Sequence, residues 1–179
     1  EKLLEEAARR YFDVKRRVDR GEASWGALTK AQQREMDEVV RLLRSSADQG
    51  AVGAQDQLGF MYNKGEGVKK DDAKAVWWYR KAAEQGFAIS QHNLGVVYAK
   101  GEGVKKDDAE AARWYRKAAE QGHVTAQAGL GSMYYTGQGV QKDLNETLRW
   151  ARKAAAQGHA EAKDLIKLSL NALEDHLRA

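Results

Sequence analysis

The sequence predicts an all-α fold, a solenoid of helix–turn–helix units with helical caps, on three observations. The stretch GEGVKKDDA stands at residues 65–73 and again, letter for letter, at 101–109, a step of 36 residues. Proline is absent, which leaves 17 glycines to punctuate the chain. Long alternating Val, Ile and Thr runs, the mark of strands, are lacking.

Residues 1–20 place Leu4, Ala7, Ala8, Tyr11, Val14 and Val18 at helical spacing. A polar stretch with Trp25 and Leu28 follows. Thr29 and Gln32 then predict a capping box for a helix reaching Ala47. The tail of that helix, LLRSSADQG, aligns with WYRKAAEQG further on, so residues 1–46 read as N-terminal capping helices forming a degenerate opening repeat.

Three full units follow, at 47–82, 83–118 and 119–154. A decayed third copy of the duplicated stretch, GQGVQKDLN, begins at Gly137, and Gly50, Gly86, Gly122 and Gly158 fall in the same register. So do Leu58, Leu94 and Leu130, and Trp78, Trp114 and Trp150. A fixed period of this length marks a stacked array in which each unit needs its neighbours to bury its apolar face.

The first helix of each unit, helix A, carries a narrow apolar stripe. Its members are Ala54, Leu58, Met61 and Tyr62, then Ser90, Leu94, Val97 and Tyr98, then Ala126, Leu130, Met133 and Tyr134. Gly59, Gly95 and Gly131 sit beside it, although glycine in a helix costs about 1 kcal/mol relative to alanine. A cost met three times at one position predicts that something packs close against the backbone there.

Helix B begins after the loop. Asp107 with Glu110, and Asp143 with Glu146, predict reciprocal capping, whereas Asp71 is followed at that offset by Lys74. Ala111, Trp114, Tyr115, Ala118 and Ala119 form its buried stripe, and Gly122 supplies the left-handed residue that ends it. Residues 155–179 read as one C-terminal capping helix, with Ala162 and Ile166 in register with helix A and the spacing running on through Leu170, Leu173 and Leu177. Both ends are expected to turn a polar face outward, as the ends of an array require.

One unit therefore reads Ala54, Gln55, Leu58, Gly59, Tyr62, Gly65, Gly67, Val68, Asp71, Ala75, Trp78, Tyr79, Lys81, Ala82, Ala83 and Gly86. This pattern resembles that of the Sel-one-like repeats, a helical-hairpin family related to tetratricopeptide repeats. The second unit has Ser90 in place of the opening alanine, and the third has Thr147 and Ala151 where Ala75 and Tyr79 stand. The resemblance implies a right-handed α/α superhelical solenoid, a scaffold that assembles or regulates complexes, with helix A lining a concave surface where relatives hold peptides or partner helices.

The residues give little chemistry to set against that expectation. A Walker loop needs Lys directly after its last glycine and then a hydroxyl; here Val68 and Val104 intervene and no strand precedes. A calcium loop would need more acids and a Glu at its twelfth position. His92 and His176 have no partner at metal-ligand spacing, and His123 and His159 share a repeat position that Phe87 fills in the second unit. No GxSxG elbow occurs. With no cysteine there is neither disulfide nor thiolate metal site. No run approaches the roughly 18 apolar residues of a membrane span. No enzyme activity, cofactor, metal or small-molecule substrate is expected.

The partner expected is another protein or a peptide segment, held on the concave face by the letters of helix A that do not repeat. These are Phe60, Asn63 and Lys64 in the first unit, His92, Val96 and Lys100 in the second, and Ser132 and Tyr135 in the third. A secondary surface lies on helix B, where Trp77, Arg113 and Arg149 form an outward row. Its cations allow an alternative, binding of nucleic acid or an anionic surface, but 30 basic residues stand against 26 acidic ones and a helix dipole accounts for cations in late turns. A second alternative, a hydrolase of the β-lactamase-like kind, is implied only through cysteine-rich relatives.

Overall fold

In a computed structural model, residues 2–178 are described, with side chains through Asp175. Nine helices form among them and no strand: α1 (Lys2–Asp19), α2 (Lys30–Asp48), α3 (Val52–Lys64), α4 (Asp72–Glu84), α5 (Ala88–Lys100), α6 (Asp108–Glu120), α7 (Val124–Thr136), α8 (Leu144–Ala156) and α9 (Ala160–Arg178). The chain falls into two compact units, Glu1–Gln85 and Gly86–Ala179. Each is a stack of antiparallel helical pairs: α1 on α2 and α3 on α4 in the first, α5 on α6 and α7 on α8 in the second, with α9 closing against α8 and α7.

In the first unit α2 starts on the predicted capping box, in which Gln32 N donates to Thr29 Oγ1 at 3.2 Å and Thr29 N to Gln32 Oε1 at 2.9 Å. Ala7, Tyr11 and Val14 of α1 are buried, as are Met36, Val39, Leu42 and Leu43 of α2. Tyr11 stacks on Trp25 and donates its hydroxyl to Glu66, and burial, aided by that carboxylate, pushes its ionisation well above the ordinary tyrosine range.

The repeated loop explains its own letters. Gly65, Gly101 and Gly137 end helix A in the left-handed conformation, with φ of 71°, 75° and 77°. The second glycine is set by crowding as well. At Gly139, φ is 69° and a Cβ would stand 2.1 Å from the Asp108 carbonyl oxygen, so the loop presses on the start of α6. Its lysines and aspartates pair with each other, Lys70 with Asp72 at 3.2 Å and Lys106 with Asp108 at 3.5 Å. The repeated stretch is a packed hinge.

Asp71, Asp107 and Asp143 cap helix B as expected, accepting from Lys74 N, Glu110 N and Glu146 N. The return half of the box does not form at Glu110 or Glu146. Their would-be donors, the backbone N–H groups of Asp107 and Asp143, already bond the Tyr98 and Tyr134 carbonyls at 3.0 Å. Glu110 pairs with Arg113 instead, and Glu146 accepts from Trp150 Nε1 at 3.0 Å.

The glycines of helix A have the close neighbour that their cost foretells. Cβ atoms at Gly59 and Gly95 would lie 2.5 Å from Tyr79 Cδ1 and 2.6 Å from Tyr115 Cδ1. At Gly131 the opposing residue is Ala151, and the nearest atoms are 3.4 Å away.

A glutamine relay, in which exposed Gln85, Gln121 and Gln157 donate to buried Gln55, Gln91 and Gln127, ties hairpins together. Gln127 donates to the Ala119 carbonyl at 3.1 Å and accepts from Gln157 at 2.9 Å; in the first unit Gln55 donates to Ala47 O at 3.0 Å and accepts from Gln85 at 2.7 Å. Gln91 likewise accepts from Gln121 at 2.7 Å.

The ends are less polar than expected. Phe12 is 55% exposed on α1 and Leu168 51% exposed on α9, with Leu3 and Leu170 also open to solvent. The side chains of His176 and Leu177 lie outside the described residues.

Candidate binding groove

On α5, His92, Val96 and Lys100 are spaced four residues apart, so they form one row along the helix. On α7 the facing residues are small, Ala128, Gly129 and Ser132, with Thr125 at the first turn; on α9 they are Glu161, Ala162, Asp164, Leu165 and Leu168. Together with His159 and Tyr115 these side chains line an open groove of about 660 Å³, lying wholly within the second unit. Bulk at α5 and α9 against small residues at α7 is what hollows it.

Four sequence-derived residues, His92, Val96, Lys100 and Ser132, thus share one groove. Tyr135 does not line it; it is half-buried, and Lys142 Nζ lies 5.6 Å from its ring centroid. Phe60, Asn63 and Lys64 belong to α3 in the first unit, where Phe60 is half-buried, Asn63 Nδ2 donates to Asp72 Oδ1 at 3.2 Å and Lys64 is exposed.

On helix B, Trp77 is 50% exposed, meets Trp78 edge-on at 4.4 Å and is covered by Lys81 Nζ at 4.0 Å. Arg113 and Arg149 are exposed but paired with Glu110 and Glu146, at 3.2 and 3.1 Å. Lys117 and Lys153 lie over the rings of Trp114 and Trp150, at 4.1 and 4.8 Å. Much of the cationic row is therefore engaged within its own helix.

The groove contains a feature the sequence does not reveal. His92 has a partner after all: its ring stacks on that of His123, with centroids 4.6 Å apart and planes at 18°. Burial lowers the basicity of both rings, and in His92 the neighbouring His123 lowers it further. His123 Nδ1 also accepts from Ala126 N at 3.2 Å, capping α7. An acceptor nitrogen must be unprotonated, so the cap holds the ring neutral. The pair joins two different repeat positions, which a register alignment keeps apart.

The electrostatics differ from edge to edge. Lys100, on α5, is exposed and lies 3.7 Å from Glu102. Glu161 and Asp164, on α9, are exposed carboxylates, and among the described residues neither takes part in an ion pair. No group of three or more His, Asp or Glu side chains among the described residues could hold a metal ion, and no helix there is long and apolar enough to cross a membrane.

The Sel1 repeat model matches residues 52–87, 88–123 and 124–159. No curated protein sequence matches the chain. Among solved structures, a Sel1 repeat protein from Oxalobacter formigenes is 43% identical, with a TM-score of 0.70 over 75% of this chain and 54% of its own. A protective antigen of uropathogenic Escherichia coli displaying an SLR fold is also 43% identical, with a TM-score of 0.70 over 71% of this chain and 27% of its own. Helicobacter pylori cysteine rich protein B is 27% identical, with a TM-score of 0.54 over 71% of this chain and 96% of its own. The chain thus spans about half of the Oxalobacter protein and about a quarter of the antigen. Its three matched repeats and its helical-hairpin architecture make it a member of the Sel1 repeat family.

Proposed function

We propose that the chain is a non-enzymatic interaction module, and that its second unit holds a segment of another protein in the groove across α5, α7 and α9. Sel1 repeat proteins are generally scaffolds for protein–protein interaction. The observation that carries the finer reading is the groove itself, an open channel of about 660 Å³ with Val96, Leu165 and Leu168 along it. Apolar side chains left open beside polar ones are the common signature of a contact surface. The row Phe60, Asn63 and Lys64 on α3 is a separate contact surface of the first unit, and Tyr135 extends the row of α7.

Affinity capture from the native organism, followed by direct titration of each captured protein once purified, tests this. A variant with Val96→Asp and Leu168→Asp should keep its melting temperature within a few degrees and lose binding at least about tenfold, the worth of one or two well-buried apolar contacts. Equal affinity of wild type and variant for every captured protein would remove the groove from consideration.

A further inference from the structure

We propose that the segment taken by this groove has a fixed order of charge: an acidic residue over the α5 edge, an apolar side chain over Gly129, and a basic residue over the α9 edge. The inference rests on the groove being a binding surface, and names what that surface selects. Lys100 is the cation of the α5 edge that lines the groove, and Glu161 and Asp164 are the carboxylates of the α9 edge. Between them α7 contributes Ala128, Gly129 and Ser132, none of them charged, and α9 adds Leu165 and Leu168. Gly129 lines the channel without a side chain, and the Tyr115 ring stands beside it, 3.8 Å from where a Cβ would be. That is the place for an apolar anchor.

A partner of uniform charge meets one attractive edge and one repulsive edge, and charge complementarity across an interface contributes to specificity more than to affinity.

Four labelled peptides of equal length, each with a leucine at its centre, supply the probes: two acids followed by two bases across the leucine, the same in reverse, acids at both ends, and bases at both ends. A fifth carries the mixed charges with serine in place of leucine. Fluorescence anisotropy with the full chain should show both mixed peptides binding more tightly than either uniform one, roughly two- to fivefold per edge, with the serine peptide weaker still. Lys100→Glu should move the preference to the peptide with bases at both ends. Glu161→Lys with Asp164→Lys should move it to the peptide with acids at both ends. These positions are exposed, so the variants retain their fold, which circular dichroism checks. If leucine peptides bind but the charge swaps leave their ranking unchanged, the charge order is wrong and the groove reading survives. If no peptide binds at any salt concentration, the groove reading fails and takes the charge order with it.

Discussion

Substituting Gly95 by alanine places a methyl carbon 2.6 Å from Tyr115 Cδ1, 2.7 Å from Cε1 and 3.0 Å from Cγ. Carbon atoms in contact prefer about 3.5–4.0 Å, so the ring must withdraw by about 1 Å. It has little room: Tyr115 packs against two buried clusters, one of Ala118, Ala119, Ala126, Leu130 and Trp150 and one of Ala111, Ala112 and Met133. Overpacking of this kind costs about 1–3 kcal/mol, against about 1 kcal/mol gained from the better helix propensity of alanine. Gly131→Ala makes the same propensity gain without the clash, since its nearest atoms are 3.4 Å off. The difference between the two variants isolates the packing cost, because the propensity gain cancels. At about 2–4 °C per kcal/mol for a chain of this size, their melting temperatures should differ by about 2–12 °C, with Gly131→Ala the higher. Thermal melts and urea titrations followed by circular dichroism measure both. In a Tyr115→Ala background, which copies the Gly131 and Ala151 pairing, Gly95→Ala should turn stabilising, giving a coupling of at least about 1 kcal/mol. The reasoning is refuted if Gly95→Ala raises stability as much as Gly131→Ala in the wild-type chain.

Gln127→Leu should cost about 0.5–1.5 kcal/mol in urea titration, because it removes the side-chain bonds to the Ala119 carbonyl and from Gln157, while Gly122 N still bonds that carbonyl and the exposed Gln157 still donates to Gly122 O; a smaller change would mean water replaces the relay freely. The stacked histidines predict a pH response. Burial lowers both below the ordinary value of 6.5, so the unfolded chain takes up protons first as the pH falls. Their contribution is full above about pH 6.5, declines as the pH drops from there through the lowered folded values, and then levels off. The groups lining the groove around His92 are Lys100 on α5, Tyr115 on α6, and His159, Glu161 and Asp164 at α9. The window to read is about pH 7 to pH 5, where histidine is the side chain whose ordinary pKa brings a change of charge. His123→Asn keeps a capping side chain without a titrating ring and should flatten the slope of stability in that window; an unaltered slope would assign the response elsewhere.

The hairpins were legible in the sequence because their signals repeat. Asp107 and Asp143 announce the start of helix B, Gly122 its end, and the costly Gly95 a close neighbour whose identity, Tyr115, lies in the stripe already read from spacing. The exception was informative too, since Ala151 replaces tyrosine while Gly131 remains. What spacing could not show were contacts between non-equivalent positions. His92 and His123 are 31 residues apart, out of step with a period of 36, and meet only through three-dimensional packing. The groove was half legible: the variable row of α5 was in view, but its other wall is α9, which follows no loop motif. The reciprocal capping misread one competitor, the tyrosine carbonyl that takes the aspartate N–H first.

The glutamine relay also bears on how such a chain changes length. Donor and acceptor recur at a constant offset, Gln85 to Gln55, Gln121 to Gln91 and Gln157 to Gln127, each 30 residues apart. A block of 36 residues copied or deleted in register carries its own half of the seam on each side, so the new junction finds the same amide and the same carbonyl waiting. Duplication then needs no compensating mutation at the break. Array length becomes a quantity that recombination can alter by whole steps, while point mutation remains free to vary the row of helix A that does not repeat.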